Sequence, residues 1–85
     1  MHKLLYHPSV LKKLKRIHQN DRKRILNKLE LLSKNPKDTN LDIKHLVNTK
    51  NSFRLRTGDI RAIFEIDNTQ KIIYIWNIDY RGSIY

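Results

Sequence analysis

Cysteine is missing from this chain altogether. Its absence excludes a disulfide framework, a thiolate nucleophile and any cysteine-held metal, and it fits a reducing compartment. No stretch approaches the roughly 20 apolar residues of a membrane span. The opening MHKLLYHPSV lacks the long apolar core of a signal peptide. A soluble cytoplasmic protein is expected. Material for metal or paired-carboxylate chemistry is short as well. His2, His7, His18 and His45 show no ligand spacing such as HxxxH. The acidic residues are scattered, so neither a metal nor a cofactor is expected. Repeats, low-complexity tracts and composition breaks are absent too. The 85 residues suffice for one domain spanning 1–85, able to bury one core but only marginally stable alone.

Negative charge is scarce. Eight Asp and Glu stand against 18 Lys and Arg, a net charge of +10. So large an excess on a small body favours an anionic partner, either nucleic acid or an acidic protein. A membrane surface fits less well, because it calls for bulky aromatics on an amphipathic helix. Here the aromatics lie mostly in the strand region.

HKLLYH, residues 2–7, reads as a first strand. Pro8 follows as the first residue of a helix, where its missing N–H costs nothing. Val10, Leu11, Leu14 and Ile17 then recur at helical spacing, with Lys12, Lys13, Lys15 and Arg16 on the other face. Asn20 or Asp21 is the expected cap of a second helix carrying Ile25, Leu26, Leu29 and Leu32. Pro36 ends it. Residues 37–51 read as a polar connection whose only apolar patch is LDIKHL. From Phe53 the period changes to two. A turn at Thr57-Gly58, a second at DNTQ and a last strand KIIYIWNIDYR complete a three-stranded antiparallel meander. The expected fold is α+β, in the order β-α-α-β-β-β. The N-terminal strand and the meander share one sheet, with a helical hairpin packed on it.

The stretch SFRLRTGDIRAIFEI places Arg54, Arg56 and Arg61 on one side of a hairpin. Like charges packed together on a sheet repel, so an anion is the natural complement. Arg81 joins them from the last strand, and Tyr85 follows. Guanidinium forks suit phosphate oxygens, and a phenol can exchange a proton or stack on a base. The plainer reading is a solvated face or ion pairs with Asp59, Glu65 and Asp79. Tyr74 and Trp76 read more readily as core than as base-stacking residues. The lysine-rich stretch from Lys12 to Arg24 reads as a solvated helix face, or as a contact for RNA phosphates.

FRLRTGDIRAIFEI and the ending IDYRGSIY, in this order and at this length, resemble the RelE/ParE toxins of type II toxin–antitoxin systems, and more closely the RelE branch. The resemblance covers essentially the whole chain. It implies a RelE-like fold and a toxin that cleaves messenger RNA in the ribosomal A site by metal-free attack of the 2′-hydroxyl. Arg54, Arg61, Arg81 and Tyr85 then fall on catalytic positions. Lys44, Lys50 and Arg56 are candidate RNA contacts. Some RelE enzymes carry a lysine two positions before Arg54; here it is Ser52, and Lys44 or Lys50 would have to substitute. The implied partner is an acidic, RelB-like antitoxin that wraps the toxin and builds higher oligomers. Two alternatives stay open, a ParE-like inhibitor of DNA gyrase and a basic RNA-binding module without chemistry.

Overall fold

The computed structural model describes residues 1–82. The elements are β1 (Lys3–Tyr6), α1 (Pro8–Arg16), α2 (Gln19–Lys34), β2 (Asp42–His45), β3 (Ser52–Thr57), β4 (Ile60–Asp67) and β5 (Ile72–Tyr80). The strands form one sheet in the order β1-β5-β4-β3-β2. β1 runs parallel to β5, and the other neighbours are antiparallel. The expected α+β sheet with helices on one face is therefore present, with one strand more.

That extra strand, β2, lies in the stretch whose composition reads as a connection. It offers a single apolar residue, Ile43, between Asp42 and Lys44, too little for a period-two signal. Its partner supplies what its sequence lacks, since β3 satisfies its backbone from Asp42↔Arg56 to His45↔Phe53. A short, charged strand is also a common way to finish a sheet edge.

Both helices begin on histidine rather than on Asn20 or Asp21. The Nδ1 of His7 accepts from the Ser9 N–H at 3.1 Å, and that of His18 from Asn20 N–H at 3.3 Å. Asp21 sits in the first turn of α2 instead, and its carboxylate accepts from the Tyr80 hydroxyl at 3.1 Å. The same hydroxyl accepts from the His18 N–H at 2.9 Å. Tyr80 thereby ties the helix junction to the end of β5.

Val10, Leu14, Ile17, Ile25, Leu29 and Leu32 are buried, whereas Leu11 and Leu26 lie on exposed flanks. The buried helical residues meet Leu55, Ile60, Ala62, Phe64, Ile73, Ile75 and Ile78 from one sheet face in a continuous core. β5 keeps its apolar side on that core only by means of a bulge. Ile63 pairs with Asn77 and Phe64 with Ile75, leaving Trp76 as an extra residue. The bulge shifts the phase, so that Ile73 and Ile75 before it and Ile78 after it all face the helices. No described helix is long and apolar enough to cross a membrane.

Tyr6, at the margin of the core, gives the fold an alkaline limit. Burial, and secondarily the Glu30 carboxylate, raise its pKa above the ordinary 10.0. As pH rises past that value the unfolded chain loses the phenolic proton first. The native state then holds more protons, and stability falls with pH until the folded phenol also ionises. Tyr6→Phe is expected to show a shallower loss of urea midpoint than the parent between roughly pH 9 and 11. Identical slopes would mean that the phenol ionises alike in both states.

Candidate functional site

Strand alternation sorts β3 and β4 cleanly. Leu55, Ala62 and Phe64 enter the core, which leaves Arg54, Arg56, Arg61 and Ile63 on the opposite face. Arg56 pairs directly with Arg61, and Arg54 with Ile63. The neighbouring strands extend both pairs. Asp42 flanks Arg56 and Lys44 flanks Arg54, while Asp79 flanks Arg61 and Asn77 flanks Ile63. One row across the sheet thus reads Asp42, Arg56, Arg61, Asp79. The next reads Lys44, Arg54, Ile63, Asn77.

Two arginines in direct register would repel, and an aspartate at each end of their row offsets that. Arg61 is only 9% exposed. Arginine is rarely so buried unless its surroundings hold the charge. The Arg54 side chain is 15% exposed and donates from Nη2 to Asp42 Oδ1 at 3.2 Å. Asp42 is 55% exposed, so this pair contributes less than about 1 kcal/mol and serves to orient the fork. The Arg54 Nε is buried without a hydrogen-bond partner, so an oxyanion reaching this side chain meets the outer nitrogens of its fork.

A further cation arrives from α1, within the lysine-rich stretch that reads from sequence either as a solvated helix face or as a contact for RNA phosphates. Lys13 of α1 donates from Nζ to Asn77 Oδ1 at 2.7 Å and lies 3.5 Å from Asp79 Oδ2. Nothing in KKLKR distinguishes Lys13 from its neighbours. Only the position of α1 beside β5 does. Arg81 follows β5 directly, its N–H donating to the Asp59 carbonyl at 2.7 Å, and its side chain is exposed at the same end of the sheet. The β3–β4 turn at this end needs Gly58, which has φ +59°, and Arg24 Nη1 lies 3.7 Å from where a Cβ would stand.

Lys44, Arg54, Arg56 and Arg61 are therefore brought together, with Arg81 at the margin. Lys50 is not among them. It is exposed in the loop before β3, at the far end of that strand from Arg56, and its carbonyl accepts from His45 Nε2 at 3.2 Å. Tyr85 lies outside the described residues. Trp76 corrects the core reading, because it is 46% exposed on the arginine side of the sheet. Among the described residues no three His, Asp or Glu side chains cluster as metal ligands. Both carboxylates of the arginine row face cations, so the row offers fixed positive charge and hydrogen-bond donors rather than a base. Such a face can bind a phosphate and stabilise charge growing on its oxygens.

The fold, a five-stranded sheet with two helices on one face, is shared with solved RelE toxins. The family described as "ParE toxin of type II toxin-antitoxin system, parDE" matches residues 4–85. The chain belongs to this family. It is similar to a chain of the archaeal RelE–RelB complex from Pyrococcus horikoshii OT3, at 26% identity and a TM-score of 0.83 over 95% of this chain and 96% of that one. Similarity to the RelB–RelE complex from Methanococcus jannaschii is 28% identity, with a TM-score of 0.80 over 95% and 94%. The isolated E. coli RelE toxin shares the fold at 11% identity, with a TM-score of 0.82 over 96% and 86%. No curated protein sequence matches.

Proposed function

We propose that this toxin is a ribosome-dependent endoribonuclease that cuts messenger RNA in the A site. The observation that carries the proposal is Arg61, 9% exposed, with Arg56 as its register partner and Arg54 and Lys44 in the next row of the same sheet face. In the proposed reaction the 2′-hydroxyl loses its proton to water and its oxygen bonds to phosphorus. The P–O5′ bond breaks, and the 5′ oxygen takes up a proton from water. The products are a 2′,3′-cyclic phosphate and a 5′-hydroxyl. Arg61 stabilises the charge on the phosphate oxygens. Arg54 holds the phosphate, and Arg81 supports the leaving oxygen electrostatically, since a guanidinium holds its proton too tightly to be an efficient acid. Tyr85 orients the substrate or stacks on a base. Lys44, Arg56 and, farther off, Lys50 contact the RNA backbone. Without a base in the arginine row, alignment of the 2′-hydroxyl falls to the ribosome.

The natural inhibitor in this reading is an acidic antitoxin. The relatives from P. horikoshii and M. jannaschii were seen in complexes with RelB, and the net charge of +10 suits an extended acidic segment that orders on binding. A second reading is inhibition of DNA gyrase, favoured by the ParE description of the matching family. Primer extension on a defined message held in ribosomes separates the two. Cuts confined to the A-site codon are expected from antitoxin-free protein. An uncut message, together with gyrase supercoiling arrested by the same preparation, would replace the nuclease reading with the second.

A further inference from the structure

Trp76 is the residue that β5 has in excess. The bulge leaves it unmatched between the pairs Ile63–Asn77 and Phe64–Ile75. Bulges re-aim side chains, and this one sets an indole on the arginine-bearing face, 46% exposed. The ring is held in place. Its Nε1 donates to Glu65 Oε2 at 3.2 Å. Tyr74 stacks against it, with centroids 5.9 Å apart and planes at 22°, and the His7 ring lies 5.9 Å away on a tilt of 47°. Glu65 and Tyr74 are register partners on the same face. The next residue, Asn77, already belongs to the row of Lys44, Arg54 and Ile63. Strand spacings put Trp76 roughly 10 Å from Arg61.

We propose that Trp76 and Tyr74 form a stacking ledge for an unpaired base of the RNA whose phosphates the arginines hold. The inference rests on the RNA reading above and adds to it a binding site for bases. An aromatic ledge alone would also suit an apolar peptide; the charges around it decide for RNA. Lys13, which donates to the adjacent Asn77, and Arg61 on the neighbouring strand lie on one side of it, with Arg54 and Lys44 one and two strands farther along the same face, and the Glu65 carboxylate lies within it. Phosphates are drawn to the arginine half and repelled from the ledge. Bases, which carry no charge and have a π-face, are not. An exposed, preoriented ring pair beside a basic groove is how single strands are held without dependence on sequence.

Trp76 is the only tryptophan, so its emission reports the ledge directly. The probe is a short 2′-O-methyl oligoribonucleotide, which lacks the attacking hydroxyl, titrated against an abasic strand of equal length and charge. The base-bearing strand is expected to quench the emission, and the abasic strand to bind without quenching. Followed by anisotropy of a labelled strand, Trp76→Ala should weaken the base-bearing strand by about tenfold. The same change should leave the abasic strand unaffected, and Trp76→Phe should restore affinity. Arg54→Ala should weaken both strands alike. Equal quenching by the two strands, or stronger quenching by an acidic aromatic peptide, overturns the ledge as a base site. So does tight binding of the base-bearing strand with unchanged emission and no effect of Trp76→Ala, while the RNA reading stands. If neither strand binds at low salt, the ledge falls as a base site, and the nuclease reading stands or falls on the ribosomal primer-extension assay alone.

Discussion

Arg61→Ala is expected to lower A-site cleavage by about 10²–10³-fold, the usual loss on removing one preorganised donor to a developing oxyanion. Ribosome binding should change little. Arg61 is nearly enclosed by its row, at 9% exposure, and an enclosed cation acts through less solvent screening than an exposed one. The loss should therefore appear in the single-turnover rate at saturating ribosome, not in the concentration needed for half-saturation. Arg61→Lys keeps the charge but loses the planar fork, and should recover only a small part of the rate. Arg56, its exposed partner across the hairpin, supplies the control, with a loss under about fivefold for Arg56→Ala. Arg61→Ala removes a like-charge neighbour of Arg56 and a partner in register of Asp79. Truncating so buried a side chain should also lower the melting temperature, so cleavage is compared at a temperature where both proteins are folded. Wild-type cleavage by a folded Arg61→Ala protein would make Arg61 a structural residue and remove the main support of the proposed mechanism.

The arginine face was legible because it depends on a simple regularity. Phe53, Leu55, Ala62 and Phe64 alternate with Arg54, Arg56 and Arg61, and alternation has one outcome on a sheet. The helix stripes were legible for the same reason, although periodicity overstated their width and drew in Leu11 and Leu26. What stayed hidden depends on long-range partners. β2 exists because β3 accepts it. Lys13 reaches the site because α1 lies along β5, and that placement follows from the fold, not from the lysine's neighbours. The outward turn of Trp76 comes from a single unmatched residue, and KIIYIWNIDYR reads as an unbroken apolar strand with or without a bulge. The histidine caps escaped because imidazole is an uncommon cap, and HPS and HQN carry no stronger signal than the Asn-Asp pair beside them.

Phe64→Ala is expected to cost about 3–5 kcal/mol, the range for truncating a fully buried aromatic. Phe64 is 0% exposed in the middle of the core and stacks on Phe53 with centroids 5.6 Å apart and planes at 22°. Helix residues lie above it and strand neighbours on both sides, so little can move into the void without breaking sheet pairs. A domain of this size commonly has only about 5–15 kcal/mol to lose, and its melting temperature should fall by on the order of 20 °C. The effect should reach the site as well. Phe64 faces the bulge that carries Trp76 and follows Arg61 by three positions on one strand, so a sheet that relaxes here loosens both halves of the proposed RNA surface. Trp76→Ala, an exposed truncation on the other side of the same bulge, should change stability by about 0.5 kcal/mol or less. Urea melts of the two variants side by side make the comparison. A loss near 1 kcal/mol for Phe64→Ala would mean that the core collapses onto the void at little cost. The spacing of the arginine rows would then rest on the strand pairing itself more than on the packing beneath them.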